Sequence, residues 1–464
     1  MTMRLTLIHP CVGRHAGDRR YLRSWQMEPL APAVLAGLTP PDVDVRFYDD
    51  RLEPIPYDEP TDLVAISVET YTAVRSYQIA SEYRRRGIPV VMGGFHATLC
   101  PEEVSRYAEA IVIGEAEESW QQLIDDFRSG RLGAEYRQPL RPSLSTTHCD
   151  RSIFEGKRYV PVTLVEAGRG CHFRCEFCAV QAYFSSTQVR RPADRILSEI
   201  ADARTRRNFF FFVDDNITSN MDEAKDFFRE LIALNIRWVS QSSINAAHDE
   251  EFLELISRSG CHGLLVGFES MSAKTLRRMR KGFNTMAGGY GTALENLRRY
   301  RIPLYATFIF GYDDDTRESF DEAVDFAMQH RFYIAAFNHL TPFPGTPLYE
   351  RMHTDGQLIF DTWWTDPRYR YNTIPFRPKR LSPEQLQQYC YEARRKFYSL
   401  ASIGRRYLDA GNRPNAFMSR NFPLINWMLR GEVAQRNGLP LGDAGRQREL
   451  LEADCLPDHL RYAV

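Results

Sequence analysis

Three cysteines carry the chemistry that can be read first from this chain. They stand in Cys171-His172-Phe173-Arg174-Cys175-Glu176-Phe177-Cys178, with the spacing C-x3-C-x2-C. The motif follows an apolar run, Val162 to Val165, that reads as a strand. Each gap gives the backbone enough slack to reach the next corner of an iron–sulfur cube. A cubane has four irons, so three thiolates leave one iron open. An open iron can bind a small molecule and pass it an electron. The alternative is a zinc knuckle, but zinc normally closes four ligands, with a second pair roughly a dozen residues away. No second C-x2-C follows, and His172 is too near to serve. Cys11, Cys100, Cys149, Cys261, Cys390 and Cys455 are scattered singly and read as buried or indifferent thiols.

The surrounding elements must hold that triplet in place. Beyond the cysteine strand, apolar runs recur at Phe209–Val213, Trp238–Gln241, Gly263–Phe268, Tyr305–Phe310 and Phe337–Leu340, with helical patterns between them. That makes six βα repeats, a partial barrel, and function in such barrels gathers where the strands end. Polar residues stand at those ends: Asp214, Asp215 and Asn216, then Gln241, then Glu269 in Gly-Phe-Glu-Ser; Gly311 ends the next. The bland reading of each is a helix cap or a turn.

Ahead of the barrel, Leu5–Pro10, Asp44–Asp49, Leu63–Val68, Val90–Gly94 and Ala110–Gly114 read as strands. Helical patterns such as Ala73 to Arg86 separate them, which predicts βαβ units on a parallel sheet. Ligands on such sheets lie at the carboxyl ends of strands. Ser67, Glu69 and Thr70 lie at one such end, Gly93-Gly94 at another, and Gly114-Glu115 at a third. A glycine pair lets a flat ligand lie on bare backbone, or simply makes a tight turn.

With these residues in hand, the chain resembles the radical S-adenosylmethionine (SAM) enzymes, and among them the subgroup with an N-terminal cobalamin-binding domain. The resemblance rests on C-x3-C-x2-C preceded by Gly168-Arg169-Gly170 and followed by Arg190-Arg191-Pro192. It extends to Ser67 with Gly93-Gly94, to Gly114-Glu115-Ala116-Glu117 and to Pro342-Phe343-Pro344-Gly345-Thr346. It implies an α/β fold: a Rossmann-like cobalamin-binding domain over 1–130, a linker over 131–160, a radical SAM partial (β/α)6 barrel over 161–350, and a mostly helical region over 351–464. It implies a [4Fe-4S] cluster on Cys171, Cys175 and Cys178. It implies SAM on Asp214, Asp215, Asn216, Gln241, Glu269 and Gly311, and cobalamin against Ser67, Glu69, Thr70, Gly93, Gly94, Gly114 and Glu115. The ammonium of SAM suits Asp214, Asp215 and Asn216, and its ribose suits Glu269. The Asp-x-His-x-x-Gly of classical cobalamin domains is absent, and His9, His15 and His96 lack its context. The implied activity is methyl transfer to an unactivated carbon of a small-molecule, lipid or natural-product substrate. A 5′-deoxyadenosyl radical would activate the substrate and methylcobalamin would deliver the group. Oxidative cyclisation or ring rearrangement, and a first domain that binds no cobalamin, are the alternatives. A flavodoxin or ferredoxin would supply the electron.

The bulk numbers agree with an ordinary globular protein. The chain has 464 residues, 43% hydrophobic and 26% charged, with a formal net charge of -1. Near-neutrality argues against nucleic-acid binding driven by charge. Runs such as Arg84-Arg85-Arg86 read as solvated helix faces. No apolar run of about 18 residues predicts a membrane span. Unpaired cysteines and a cluster suit the reducing cytoplasm. Near the C-terminus, Ser382-Pro383 predicts a helix start, with Leu386, Tyr389, Ala393, Phe397 and Leu400 along one face. Trp363, Trp364, Tyr369 and Tyr371 read as core or as a substrate-pocket lining.

Overall fold

A computed structural model describes residues 2–18, 26–138, 140–285, 289–433, 438–445 and 450–452. Cys455 lies outside the described residues. The chain divides into two compact units. The first takes residues up to Val160, Thr362–Tyr371 and the described residues from Gly438 on; the second takes Pro161–Asp361 and the described residues from Asn372 to Val433. The residues after 350 are thus shared between both units.

The first unit is built on strands β1 (Arg4–His9), β2 (Gly13–Arg14), β3 (Asp44–Asp49), β4 (Leu63–Ser67), β5 (Val90–Gly93), β6 (Ala110–Ile113) and β7 (Glu135–Arg137). Six of them form one sheet in the order β3-β1-β4-β5-β6-β7, all parallel. The inner strands β1, β4, β5 and β6 are short, mainly apolar and mostly buried, as strands sandwiched between helices must be. Leu5, Leu63, Val64, Val90 and Met92 are fully buried. β7 falls inside the stretch expected to be a linker. Leu132, Tyr136 and Phe154 from that stretch enter the hydrophobic core, so it completes the sheet rather than crossing open space. Trp363, Trp364 and Tyr369 are core residues of this unit: Trp363 packs on Tyr71 at 5.0 Å, and Trp364 Nε1 donates to Glu103 at 2.9 Å. The arginine run also departs from expectation at one position. Arg84 is buried and paired with Glu109 at 2.7 Å, because the helix Ala73–Arg84 turns that side chain toward the sheet.

The second unit carries β8 (Thr163–Val165), β9 (Gly168–Gly170), β10 (Gln188–Arg190), β11 (Phe209–Phe212), β12 (Arg237–Ser242), β13 (Cys261–Glu269), β14 (Leu304–Phe310) and β15 (Ile334–His339). Its main sheet runs β15-β14-β13-β12-β11-β8, parallel throughout and in strict chain order, which is the open six-stranded barrel. β9 and β10 form a separate antiparallel ribbon flanking the cysteine motif. β16 (Gly442–Asp443) belongs to the first unit, where it pairs with β2. Aromatic rings fill the barrel wall: Phe228 stacks on Trp238 at 4.7 Å, and Phe212 meets the Trp238 ring edge-on at 5.5 Å.

An open barrel leaves an edge with unpaired backbone groups. Here side chains cover them. The helix Pro383–Phe397, capped by Ser382, brings Arg394 Nε to Phe337 O at 2.9 Å. Tyr398 OH accepts from Ala335 N at 3.3 Å and donates to Ala335 O at 2.9 Å. Leu386, Ala393 and Phe397 of that helix are buried. Leu400 is not on this face. The helix ends at Phe397, and Leu400 opens the next one, 59% exposed.

Candidate active site

The cysteine loop is fastened by the three polar residues after β11. Asp214 Oδ2 accepts from Ala167 N at 3.0 Å, and Asp215 Oδ2 accepts from Gly170 N at 2.7 Å, the residue just before Cys171. Asn216 Nδ2 donates to Cys171 Sγ at 3.7 Å, while its Oδ1 accepts from Thr218 and Ser243. Gln241 Nε2 donates to Asp214 O at 2.6 Å. These four residues brace the loop that presents the cysteines. They are not helix caps, because Asn220 caps the helix Met221–Leu231. Their residue types were legible; their partners, about 45 residues back along the chain, were not.

Burial raises all three thiols, Cys175 up to about 12. Backbone groups oppose it: Phe173 N–H favours the Cys171 thiolate, and those of Val180 and Gln181 favour that of Cys178. Such N–H groups stabilise sulfur that carries negative charge, the form in which it binds metal. Among the described residues no three His, Cys, Asp or Glu side chains converge as they would round a single metal ion. Thiolates on three corners of a cube stand farther apart than the ligands of one ion.

Two buried carboxylate oxygens at this end of the barrel have no partner, Asp214 Oδ1 and Glu269 Oε2. Desolvation pushes the Asp214 carboxyl up to about 7. Orphaned acceptors are costly unless a donor meets them. The ammonium and hydroxyl groups of SAM are such donors, so the residues fit it. Glu269 Oε1 is already bonded to Lys281 Nζ at 2.5 Å, a residue that sequence motifs did not single out. Glu176, between two of the cysteines, is buried and paired with Arg351 at 3.1 Å, which ties the motif to the helix Pro347–Thr354.

Gly311 is buried, and the space a Cβ would take is filled: Phe376 Cζ would stand 2.8 Å away and Leu386 Cδ2 3.0 Å. Its φ of +120° and that packing account for the glycine. Thr316 caps the helix Arg317–Gln329. Asp315, one residue earlier, is buried and accepts from the N–H groups of Gly311 and Tyr312 at 2.8 and 2.9 Å. Desolvation nonetheless raises its carboxyl from 3.8 to about 6. A carboxyl raised on folding contributes stability below its unfolded pKa and loses it as pH rises through the folded one. Asp315→Asn is therefore expected to flatten the fall in stability of the cofactor-free protein between pH 4 and 7 by up to about 3 kcal/mol. Urea unfolding across that range checks it; an unchanged pH profile would show that Asp315 titrates normally.

In the first unit, the expected cobalamin residues gather at the carboxyl ends of adjacent strands β4, β5 and β6. Ser67 and Gly93 are paired across the ladder. Gly94 adopts φ +101°, and a Cβ there would meet Val68 O at 3.0 Å and Ser67 Oγ at 3.2 Å. Gly94→Ala is thus expected to cost about 1–3 kcal/mol, read by thermal unfolding; no loss would mean that the turn relaxes freely. Gly114 at φ +84° has open space where a Cβ would stand, and Thr98 Oγ1 accepts from its N–H at 2.8 Å. Thr70 is buried, while Glu69 is exposed. Glu115 is engaged by Arg141 at 2.6 and 3.0 Å. His96 is fully buried and faces Glu103 at 3.3 Å. Glycines stand at two of these strand ends, those of β5 and β6, where a flat macrocycle would meet backbone without side chains.

Comparison with known proteins agrees with this architecture. The Radical SAM superfamily model matches residues 165–327. A bacteriochlorophyllide d C-12(1)-methyltransferase of Chlorobaculum tepidum is 32% identical over 82% of this chain and 84% of its own length. A bacteriochlorophyllide d C-8(2)-methyltransferase of the same organism is 30% identical over 72% and 78%. Among solved structures, the radical SAM methyltransferase TsrM of Kitasatospora setae, with cobalamin and a [4Fe-4S] cluster bound, shares the fold. Its TM-score is 0.61 at 16% identity, covering 94% of this chain and 99% of that one. The chain belongs to the radical SAM superfamily. It is a radical SAM enzyme, whose class works with a [4Fe-4S] cluster, SAM, a small-molecule substrate and a reductant. Among the described residues no helix is long and apolar enough to cross a membrane.

Proposed function

We propose that the chain is a cobalamin-dependent radical SAM methyltransferase acting on an unactivated carbon of a tetrapyrrole or a similarly flat, hydrophobic natural product. The similarity to bacteriochlorophyllide methyltransferases along most of the chain carries this reading. When bound, the reduced cluster supplies the electron that cleaves SAM, and cobalamin supplies the methyl group. Cys171, Cys175 and Cys178 would hold the cluster on three irons. Asp214 and Glu269 offer buried acceptors to the ammonium and ribose ends of SAM, while Asp215, Asn216 and Gln241 keep the loop in register. Ser67, Gly93, Gly94 and Gly114 present bare strand ends to the corrin, with Glu69 and Thr70 beside them. A flavodoxin or ferredoxin would deliver the electron, in the cytoplasm.

The test is anaerobic turnover with methyl-labelled SAM, cobalamin, a reductant and bacteriochlorophyllide d. Label in the product and 5′-deoxyadenosine in solution are expected. A modified product without label would turn the reading to oxidative cyclisation. Absence of SAM cleavage under full cluster loading would overturn it.

A further inference from the structure

Lys281 lies in none of the motifs, yet it is fixed beside the cysteines. Glu176 N, inside the cysteine motif, donates to Met279 O at 3.2 Å. Phe283 stacks on Phe173 with ring centroids 3.9 Å apart and planes within 14°. These two fastenings bracket Lys281 and lay its segment along the cysteine loop. Lys281 N donates to Leu276 O at 2.8 Å, and Asn284 Nδ2 ties the following turn to Gly267 O at 3.1 Å and Phe268 O at 3.2 Å.

The side chain of Lys281 is 11% exposed and that of Glu269 6%, with Nζ on Oε1. Gly267 makes room for the pair: a Cβ there would lie 2.0 Å from Glu269 Oε1 and 2.5 Å from Lys281 Nζ. Glu269 itself adopts φ +63°, a left-handed conformation that costs a non-glycine residue energy and that the surrounding packing must sustain. A strained backbone, a glycine cut-out and a nearly buried ion pair are a costly way to hold two charges unless their position matters. The fastenings at Met279 and Phe283 keep the Lys281 segment beside the loop that carries Cys171, Cys175 and Cys178.

We propose that Lys281 is a positioning residue that sets the electron affinity of the cluster on Cys171, Cys175 and Cys178, in opposition to the Glu269 carboxylate. Adding an electron makes the cluster and its thiolates more negative. A fixed cation nearby, in a site of low polarity, favours that state, and a fixed anion disfavours it. Lys281 also holds Glu269 Oε1, which leaves Oε2 as the oxygen open to a ligand. The inference rests on the assignment of the triplet as a cluster site.

The test is a redox titration of the full-length, reconstituted protein without SAM, followed by electron paramagnetic resonance. Lys281→Met is expected to move the midpoint to more negative potential, Glu269→Gln to more positive, and Lys281→Arg to leave it near the parent. Iron content should match the parent in all three. Midpoints unchanged in fully loaded variants, or both neutral variants shifting the same way, would overturn the inference. If Lys281→Met holds no iron, Glu269→Gln decides alone, and an unshifted midpoint there refutes it. An iron-free parent would instead overturn the cluster reading, and the inference with it.

Discussion

Replacing Cys175 by alanine is expected to abolish SAM cleavage while leaving the first unit folded. Cys175 is the most buried of the three thiols at 8% exposure, so no solvent ligand can readily take its place. A cube held by two thiolates loses the anchor that keeps its open iron facing the site, and iron content should fall to near zero. The strands β1, β3, β4, β5, β6 and β7 belong to the first unit and the cysteine loop to the second. Hydrogen exchange of their amides should therefore match the parent. Formation of 5′-deoxyadenosine by the variant at even a tenth of the parental rate would mean that the triplet does not hold the catalytic cluster.

The second large effect concerns Arg406. Arg406 is 1% exposed, and it bonds to hydroxyl, carbonyl and amide oxygens rather than to a carboxylate. Nη1 donates to Phe332 O and Tyr333 O, both at 3.1 Å, and to Asn426 Oδ1 at 2.9 Å. Nη2 reaches Phe397 O at 3.2 Å, Nε reaches Ser402 Oγ at 3.2 Å, and the guanidinium lies 3.9 Å from the Phe397 ring centroid. Desolvation lowers its pKa to about 10, still charged at neutral pH. One fork thus joins the start of β15, the end of the helix Pro383–Phe397, its own helix Leu400–Tyr407 and the helix Ala416–Glu432. Arg406→Met keeps most of the volume but strands several buried acceptors, at an expected cost of about 3–5 kcal/mol. Hydrogen exchange in the two C-terminal helices should rise by at least a hundredfold. Exchange at the parental rate would show that these helices dock without the fork.

Sequence patterns located the inner strands of the first unit, such as β4 and β6, because they are buried on both faces and therefore continuous in apolar character. Asp44–Asp49 coincides with β3 residue for residue although two of its residues are exposed. β7 escaped because Glu135–Arg137 has one inward residue, Tyr136, between two exposed charged ones. Leu400 was assigned to the wrong helix because its spacing continued the pattern across a break that only the Ser399 cap reveals. At the site, local order identified the cysteines and the strand-end acids. Pairings across the fold stayed hidden: Glu269 with Lys281, Asp215 with the Gly170 amide, Glu176 with Arg351. Spacing names the residues a strand end presents; tertiary packing decides which of them face a ligand and which hold the loop.

The most direct test of the whole account is metal analysis with an absorption spectrum, on protein expressed with cobalamin supplied and purified without oxygen. The account predicts about four irons and about one cobalt per chain, with the absorption of both groups. About four irons with no cobalt would contradict the assignment of the first unit as a cobalamin site, and with it the route proposed for methyl transfer.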